Sequence, residues 1–413
     1  MSGANSTCEI IREAKTLGIE VYATDYYQNT KAKKKADKSF MVSTADVPAI
    51  VKLCKEENID GIFSAFTDSV LPYMQQVSEL TGFSFWGDKD NIDICIDKMK
   101  FKEACSKSGI PVIPWIKINE SNYKEIIKNV KCPVVVKPVD SSGSRGVYKC
   151  FEDSLLDSYC VKAFECSRKK ELLIERLMNA EMEFSAYYIL NNGESTMFAM
   201  GDRYVEVVSK DSAPKPKGML FPSVHMDAFL TKIDPLFKSF FIKNNMNNGF
   251  VFIQGFTEDN SFYINEVGYR LNGGFTYKFN EYFNGYSLVE EMFNYCLTGK
   301  MSEDILNKTD PHFKGKGLLL TISVRQGVIG KIGGVEAIKD FPGVYDVIFD
   351  YEEGDEMKAP GEGVLILGYI HCIANNYKEI ESILSFVSNH LIVENDKGEN
   401  LLLDILRPSA LKL

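Results

Sequence analysis

"CPVVVKPVDSSGSRGVYKC", residues 132–150, poses the first problem of this chain. An apolar run, Val134-Val135-Val136, drives straight into Lys137 and Pro138, and the polar loop Ser141-Ser142-Gly143-Ser144-Arg145-Gly146 follows. A lysine at the end of a buried strand is strongly destabilising unless an anion meets it. The loop supplies backbone N–H groups, hydroxyls and a guanidinium, which suit phosphate oxygens. No GxxxxGK[ST] motif occurs in the chain, so this is not a P-loop. Taken alone, the stretch reads equally well as a surface hairpin with a solvated lysine.

Bulk composition narrows the setting. The 413 residues suggest two or three domains, with 45% apolar and 25% charged residues as in an ordinary globular protein. A net charge of −10 argues against nucleic acid or an anionic membrane as a main partner, yet leaves room for a local basic pocket. Ten cysteines are scattered from Cys8 to Cys372 without a CxxC pair, and the four histidines are far apart, so no zinc spacing exists. Reduced cysteines, no basic-then-apolar leader and no 18-residue apolar run give a cytoplasmic expectation.

Residues 8–17 have helical spacing, with Gly18 placed to end the helix, and "IEVYATD" follows as a strand. "KAKKKADK" reads as a solvated basic linker, "SFMVS" as a strand, residues 46–59 as a helix capped by Asp46, and "DGIFSAF" as another strand. This alternation predicts a small doubly wound α/β unit. Such a unit normally opens on a strand, whereas this chain opens on "MSGANS", already loop-like, so a shortened N-terminus is expected. Residues 97–108 read as a helix, "ELLIERLM" and "MEFSAYYIL" as strands, and "FVFIQGFTEDNSFYINEVGYR" as a hairpin about an Asp-Asn turn. Beyond Lys300, glycine-punctuated strands and one late helix, "KEIESILSFVSNHL", predict an α+β tail.

Around Lys137 stand Asp97-Lys98, Glu175 ending an apolar run, Glu183 on the next strand, and Gln254 and Glu266 on the two arms of the hairpin. An oxygen-rich hairpin beside a phosphate loop suits a magnesium-bridged nucleotide. In this order, over about residues 90–300, the set resembles the ATP-grasp superfamily, and the flanking units resemble its carbamoyl phosphate synthetase-like and L-amino acid ligase branch. The resemblance implies a doubly wound pre-ATP-grasp unit (1–90) and an ATP-grasp domain of two α+β subdomains (91–300, lid subdomain about 110–180). An α+β ligase-type tail (301–413) would follow.

It further implies ATP and Mg²⁺ as cofactors, with Mn²⁺ as a substitute. Lys98 and Lys137 would hold the phosphates, and Ser141, Ser142, Gly143, Ser144, Arg145 and Gly146 would close as a lid. Glu175 and the backbone of Arg176, Leu177 and Met178 would form the adenine hinge, and Glu183 would take the ribose. Gln254 and Glu266 would bind the metal, with Arg270 stabilising the transferred phosphoryl group. Arg203 and Lys210 are candidates for the substrate pocket, an ion pair being the alternative for Arg203. Gly268 departs from the family's E-x-N-x-R pattern, and Gln254 stands where many relatives carry an acid. A water would fill the missing asparagine's place, so Gly268→Asn is expected to be tolerated if the backbone angle allows.

The expected activity is ATP-dependent ligation of a small-molecule carboxylate to an amine or thiol through an acyl phosphate, with amino acids or peptides as candidates. A homodimer is compatible with it, and neither nucleic acid nor membrane is an expected partner. The alternatives are a bicarbonate-using carboxylase or carbamoyl-phosphate-type enzyme, and a non-hydrolysing ATP-binding module.

Overall fold

The computed structural model describes residues 6–140, 146–207, 214–358 and 365–411. The first helix, α1 (Thr7–Thr16), ends two residues before Gly18, whose φ of +75° only glycine adopts without strain. Strands β1 (Tyr22–Thr24) and β2 (Lys38–Phe40) pair in parallel, Tyr22 opposite Lys38. Helices α3 (Val47–Glu56, capped by Asp46) and α4 (Leu71–Thr81) pack against each other around Ile50, Met74 and Val77.

Two expectations for this unit are corrected. Residues 61–65 form no strand. Among the described residues none lies beside them to complete a ladder, and Ile62 and Ala65 are buried in apolar clusters instead. The basic run is not a solvated linker but a short helix, α2 (Lys31–Lys35), capped by Thr30. Lys33 is buried and donates to the carbonyls of Asp25 (3.3 Å) and Tyr27 (3.0 Å), while Lys31 pairs with Asp355 of the C-terminal region. Lysine stems cover apolar surface readily while their ammonium groups find oxygens.

Helices α5 (Lys89–Ile96) and α6 (Lys98–Lys107) lead into a four-stranded sheet. Its strands are β3 (Trp115–Asn119), β4 (Val134–Pro138), β5 (Tyr148–Cys150) and β6 (Glu171–Arg176), in spatial order β3-β6-β4-β5. The helix Leu156–Cys166 covers it, and Ile118, Val136, Phe164 and Ile174 form its own small core.

The main sheet has eight strands. It starts with β7 (Glu183–Asn191), β8 (Glu194–Glu206), β9 (Lys215–Phe221), β10 (Gly249–Glu258) and β11 (Ser261–Gly268). The sheet continues past residue 300 through β12 (Lys316–Val324), β14 (Val344–Phe349) and β16 (Leu365–Ala374), giving the order β11-β10-β7-β8-β9-β12-β16-β14. Strands β13 (Gly327–Gly333), β15 (Glu356–Met357) and β17 (Ile392–Asn395) form a separate three-stranded sheet. The late helix forms as Tyr377–His390, burying Ile380, Leu384 and Val387. One face of the main sheet is closed by a phenylalanine-rich core including Phe184, Phe229, Phe237 and Phe241.

The β10–β11 hairpin positions the site. Asp259 and Asn260 both have positive φ (49° and 59°), the two-residue turn whose twist matches the strands it joins. Near the other end, Gln254 pairs with Glu266, but its neighbour Gly255 pairs with Ile264. Asn265 is therefore the extra residue of a β-bulge, a device that re-aims side chains. Ile264 and Val267 remain in the core, leaving Asn265 and Glu266 together on the opposite face.

Candidate active site

Lys98 opens α6, directly after the cap Asp97, whose carboxylate accepts from the N–H groups of Met99 (3.0 Å) and Lys100 (3.2 Å). Lys102 lies one turn on, the i,i+4 spacing that puts both lysines on one helix face. Both point toward the four-stranded sheet, where β4 delivers Lys137 and β6 delivers Glu175. Lys137 Nζ lies 2.7 Å from one Glu175 oxygen and Lys102 Nζ 2.9 Å from the other, with all three side chains buried. Lys102 was not among the sequence-predicted site residues, although its spacing from Lys98 was a readable signal.

The electrostatics follow from that packing. Burial alone would raise the pKa of Glu175, but the ammonium groups of Lys137 and Lys102 hold it below the ordinary carboxylate value. Lys102 is pushed down by burial, as is Lys98, where nearby Lys137 adds to the effect and Glu266 and Glu175 oppose it. Three lysines thus crowd around one buried carboxylate, an arrangement that favours a multiply charged anion.

Across from them runs a row of oxygen-bearing side chains on adjacent strands: Glu266, its pair Gln254, and Ser185, itself paired with Gln254. Gln254 Nε2 donates to Ser185 Oγ at 3.4 Å. Glu183, two residues before Ser185, pairs with Arg203 Nη1 at 2.5 Å. Burial raises the Glu183 pKa while Arg203 opposes the rise. Among the described residues no group of three or more His, Cys, Asp or Glu side chains could hold a metal by itself. One carboxylate flanked by amide oxygens, facing a lysine cluster, fits Mg²⁺ that arrives with phosphates, because Mg²⁺ takes few protein ligands there.

The structure gives several of the sequence-predicted site residues partners of their own. Both oxygens of the Glu175 carboxylate lie against lysines. The N–H groups of Arg176 and Leu177 are taken by the carbonyls of Pro114 (3.1 Å) and Pro133 (3.4 Å), and the Arg176 side chain pairs with Glu258. Arg270 is held in place by its neighbours. Asp68 clamps it through Nε (2.8 Å) and Nη2 (2.5 Å), Nη1 donates to the Leu271 carbonyl (2.9 Å), and the guanidinium lies over the Phe252 ring. Asp68 comes from the N-terminal unit and had no sequence signal marking it.

Gly268 has a different reason from the one expected. Its φ is not positive, but a Cβ there would lie 2.1 Å from the ring of Phe252, its cross-strand pair. An asparagine would collide with that ring, so tolerance of Gly268→Asn is not expected. Of the loop residues, Ser141, Ser142, Gly143, Ser144 and Arg145 lie outside the described residues, as does Lys210. Gly146 is described: φ is +75°, and a Cβ would come within 2.6 Å of Cys166.

Three family models match successive parts of the chain: the PylC-like N-terminal domain over residues 2–82, the D-ala D-ala ligase C-terminus over 105–215, and the L-amino acid ligase C-terminal domain 2 over 320–396. Among curated proteins it is similar to the formate-dependent phosphoribosylglycinamide formyltransferase of Sulfurisphaera tokodaii, 24% identical over 193 residues (45% of this chain, 47% of that protein). It is also similar to that of Prochlorococcus marinus, 26% identical over 196 residues (46% and 50%). The chain spans about half the length of the curated relatives it matches.

Solved structures match throughout. An L-amino acid ligase from Bacillus licheniformis superposes with a TM-score of 0.74 at 17% identity, covering 95% of this chain and 96% of that one. A phosphoribosylglycinamide synthetase from Anaerococcus prevotii gives 0.72 at 17%, covering 95% and 98%. No helix among the described residues is long and apolar enough to cross a membrane. From end to end the chain therefore has the fold of the L-amino acid ligase and phosphoribosylglycinamide synthetase structures, and three family models match successive parts of it.

Proposed function

We propose that the protein is an ATP-dependent carboxylate–amine ligase working through an acyl phosphate. The observation that carries this is buried Lys102 and Lys137 on Glu175, with half-buried Lys98 close by, facing the Glu266–Gln254 row. Lys137 and Lys98 would bind the triphosphate, with Lys102 and Glu175 fixing Lys137 from behind. Glu266 and Gln254 would hold Mg²⁺, which supplies charge neutralisation between two anions that otherwise repel. A carboxylate oxygen of the substrate attacks the γ-phosphorus and the bond to ADP breaks. The amine then attacks the acyl carbon, phosphate leaves, and the amine gives up a proton. No side-chain nucleophile is required.

The same reading divides the chain near residues 90 and 300, treats about 110–180 as a lid subdomain, and gives residues 141–146 the lid loop. Glu183 would meet the ribose, exchanging its bond to Arg203, and Arg203 would turn to a substrate carboxylate beside Lys210. Residues 176–178 would border the adenine, and Arg270 would act from its Asp68 clamp. The matches to the L-amino acid ligase and D-ala D-ala ligase models favour an amino acid as the acid. Cytoplasmic placement and a homodimer belong to the proposal as well.

The test is ADP formation with Mg²⁺ and a panel of amino acids, adding hydroxylamine to trap an acyl phosphate as a hydroxamate. Acid-dependent ADP release with hydroxamate supports the reading. ATP binding without turnover for any acid would instead support a binding module.

A further inference from the structure

The bulge residue Asn265 accepts a hydrogen bond from Lys137 Nζ at 3.2 Å, reaching from the main sheet to the lid-side sheet. That contact closes a circuit. Lys137 bonds Glu175, Glu175 bonds Lys102, and Lys102 Nζ reaches the Ile113 carbonyl at 3.4 Å. Ile113 N–H donates to the carbonyl of Ile264 (3.3 Å), and Ile264 N–H to that of Pro111 (2.9 Å), beside Asn265. The segment 111–113, through which the chain enters the four-stranded sheet, is thus pinned at the bulge itself.

Bulges at sheet edges commonly serve to redirect a side chain at a site. Here the bulge turns Asn265 to the face of Glu266, on the strand where Gly268 supplies no side-chain oxygen. We propose that Asn265 is a positioning residue for the phosphate site, its amide oxygen holding the Lys137 ammonium against the phosphates of a magnesium nucleoside triphosphate. This rests on the nucleotide-binding reading above. It predicts that Asn265 matters for the phosphates and not for the nucleoside.

The test is calorimetric titration of the full chain with MgATP and, separately, with adenosine, for the wild type, Asn265→Ala and Asn265→Asp. Asn265→Ala should weaken MgATP by about tenfold or more, the loss of one hydrogen bond to a charged group, and leave adenosine unchanged. Asn265→Asp keeps an oxygen at that point and should retain most of the MgATP affinity. Equal MgATP affinity for the wild type and Asn265→Ala, an equal loss for adenosine, or no rescue by Asn265→Asp would each overturn the role. A wild type that binds no MgATP would sink the nucleotide reading itself, a distinguishable failure.

Discussion

Two ionic clusters in this molecule hold their charge in different ways. In the first, Lys102 and Lys137 meet the two oxygens of buried Glu175, and Lys98, Glu266 and Asp140 stand close by. In the second, Lys278 lies 2.8 Å from Glu9, 3.5 Å from Glu13 and 3.0 Å from Asp346, and Arg12 adds a further bond to Glu9. That makes two cations against three anions. The second cluster joins α1, the segment after the β10–β11 hairpin and β14, and settles its imbalance with a proton, since burial pushes the Glu13 pKa up to about 7. The first keeps its lysines around a shared carboxylate, with Lys98 and Lys102 pushed below their ordinary pKa chiefly by burial. The second is a strut between elements; the first is the proposed nucleotide site.

The contrast can be broken at the oxygen row first. Glu266→Gln removes the carboxylate nearest the proposed metal position and should reduce ADP formation by about 10²-fold or more, with the melting temperature little changed. Activity within a few-fold of wild type would remove Glu266 from the chemistry. Next is the bridge. Glu175→Ala leaves Lys102 buried without its counter-charge, which should cost about 3–5 kcal/mol in urea unfolding. A loss under 1 kcal/mol would mean that buried Lys102 and Lys137 are held by something other than Glu175.

Gly268→Asn sharpens the account on a smaller scale. The Phe252 ring must move, and overpacking of this kind costs about 1–3 kcal/mol, so the variant should be less stable and no more active. A more active, equally stable Gly268→Asn would restore the view that only a metal ligand is missing there. The smallest effect belongs to the strut. Between pH 4.5, the ordinary carboxylate value, and about 7, folded Glu13 keeps a proton that the unfolded chain has lost. Stability should therefore fall as pH rises through this window. Glu13→Gln, which cannot titrate, should flatten that slope in denaturant melts; an unchanged slope would assign the titration to another group.

What was legible in the sequence depended on one strand at a time. Lys137 announced itself because a charge at the end of an apolar strand needs a partner, and the hairpin because Asp259-Asn260 carries its own turn chemistry. The partner of Lys137 was not legible: Glu175 joins it only through β4–β6 pairing. Gly268 was noticed as a departure, but its cause is a ring on the facing strand. Asn265 gave no signal, because a bulge is a property of two strands in register. The basic run at 31–35 misled because its lysines meet oxygens distant in sequence, such as Asp355.

The central claim is that Lys137 and the lysines beside it serve a triphosphate. The direct measurement is the affinity of the wild type for ATP, ADP and adenosine with Mg²⁺, repeated for Lys137→Ala. Affinity should fall in that order for the wild type, and Lys137→Ala should bring ATP down to the level of adenosine. Equal affinity of the wild type for ATP and adenosine, or ATP binding untouched by Lys137→Ala, would contradict it.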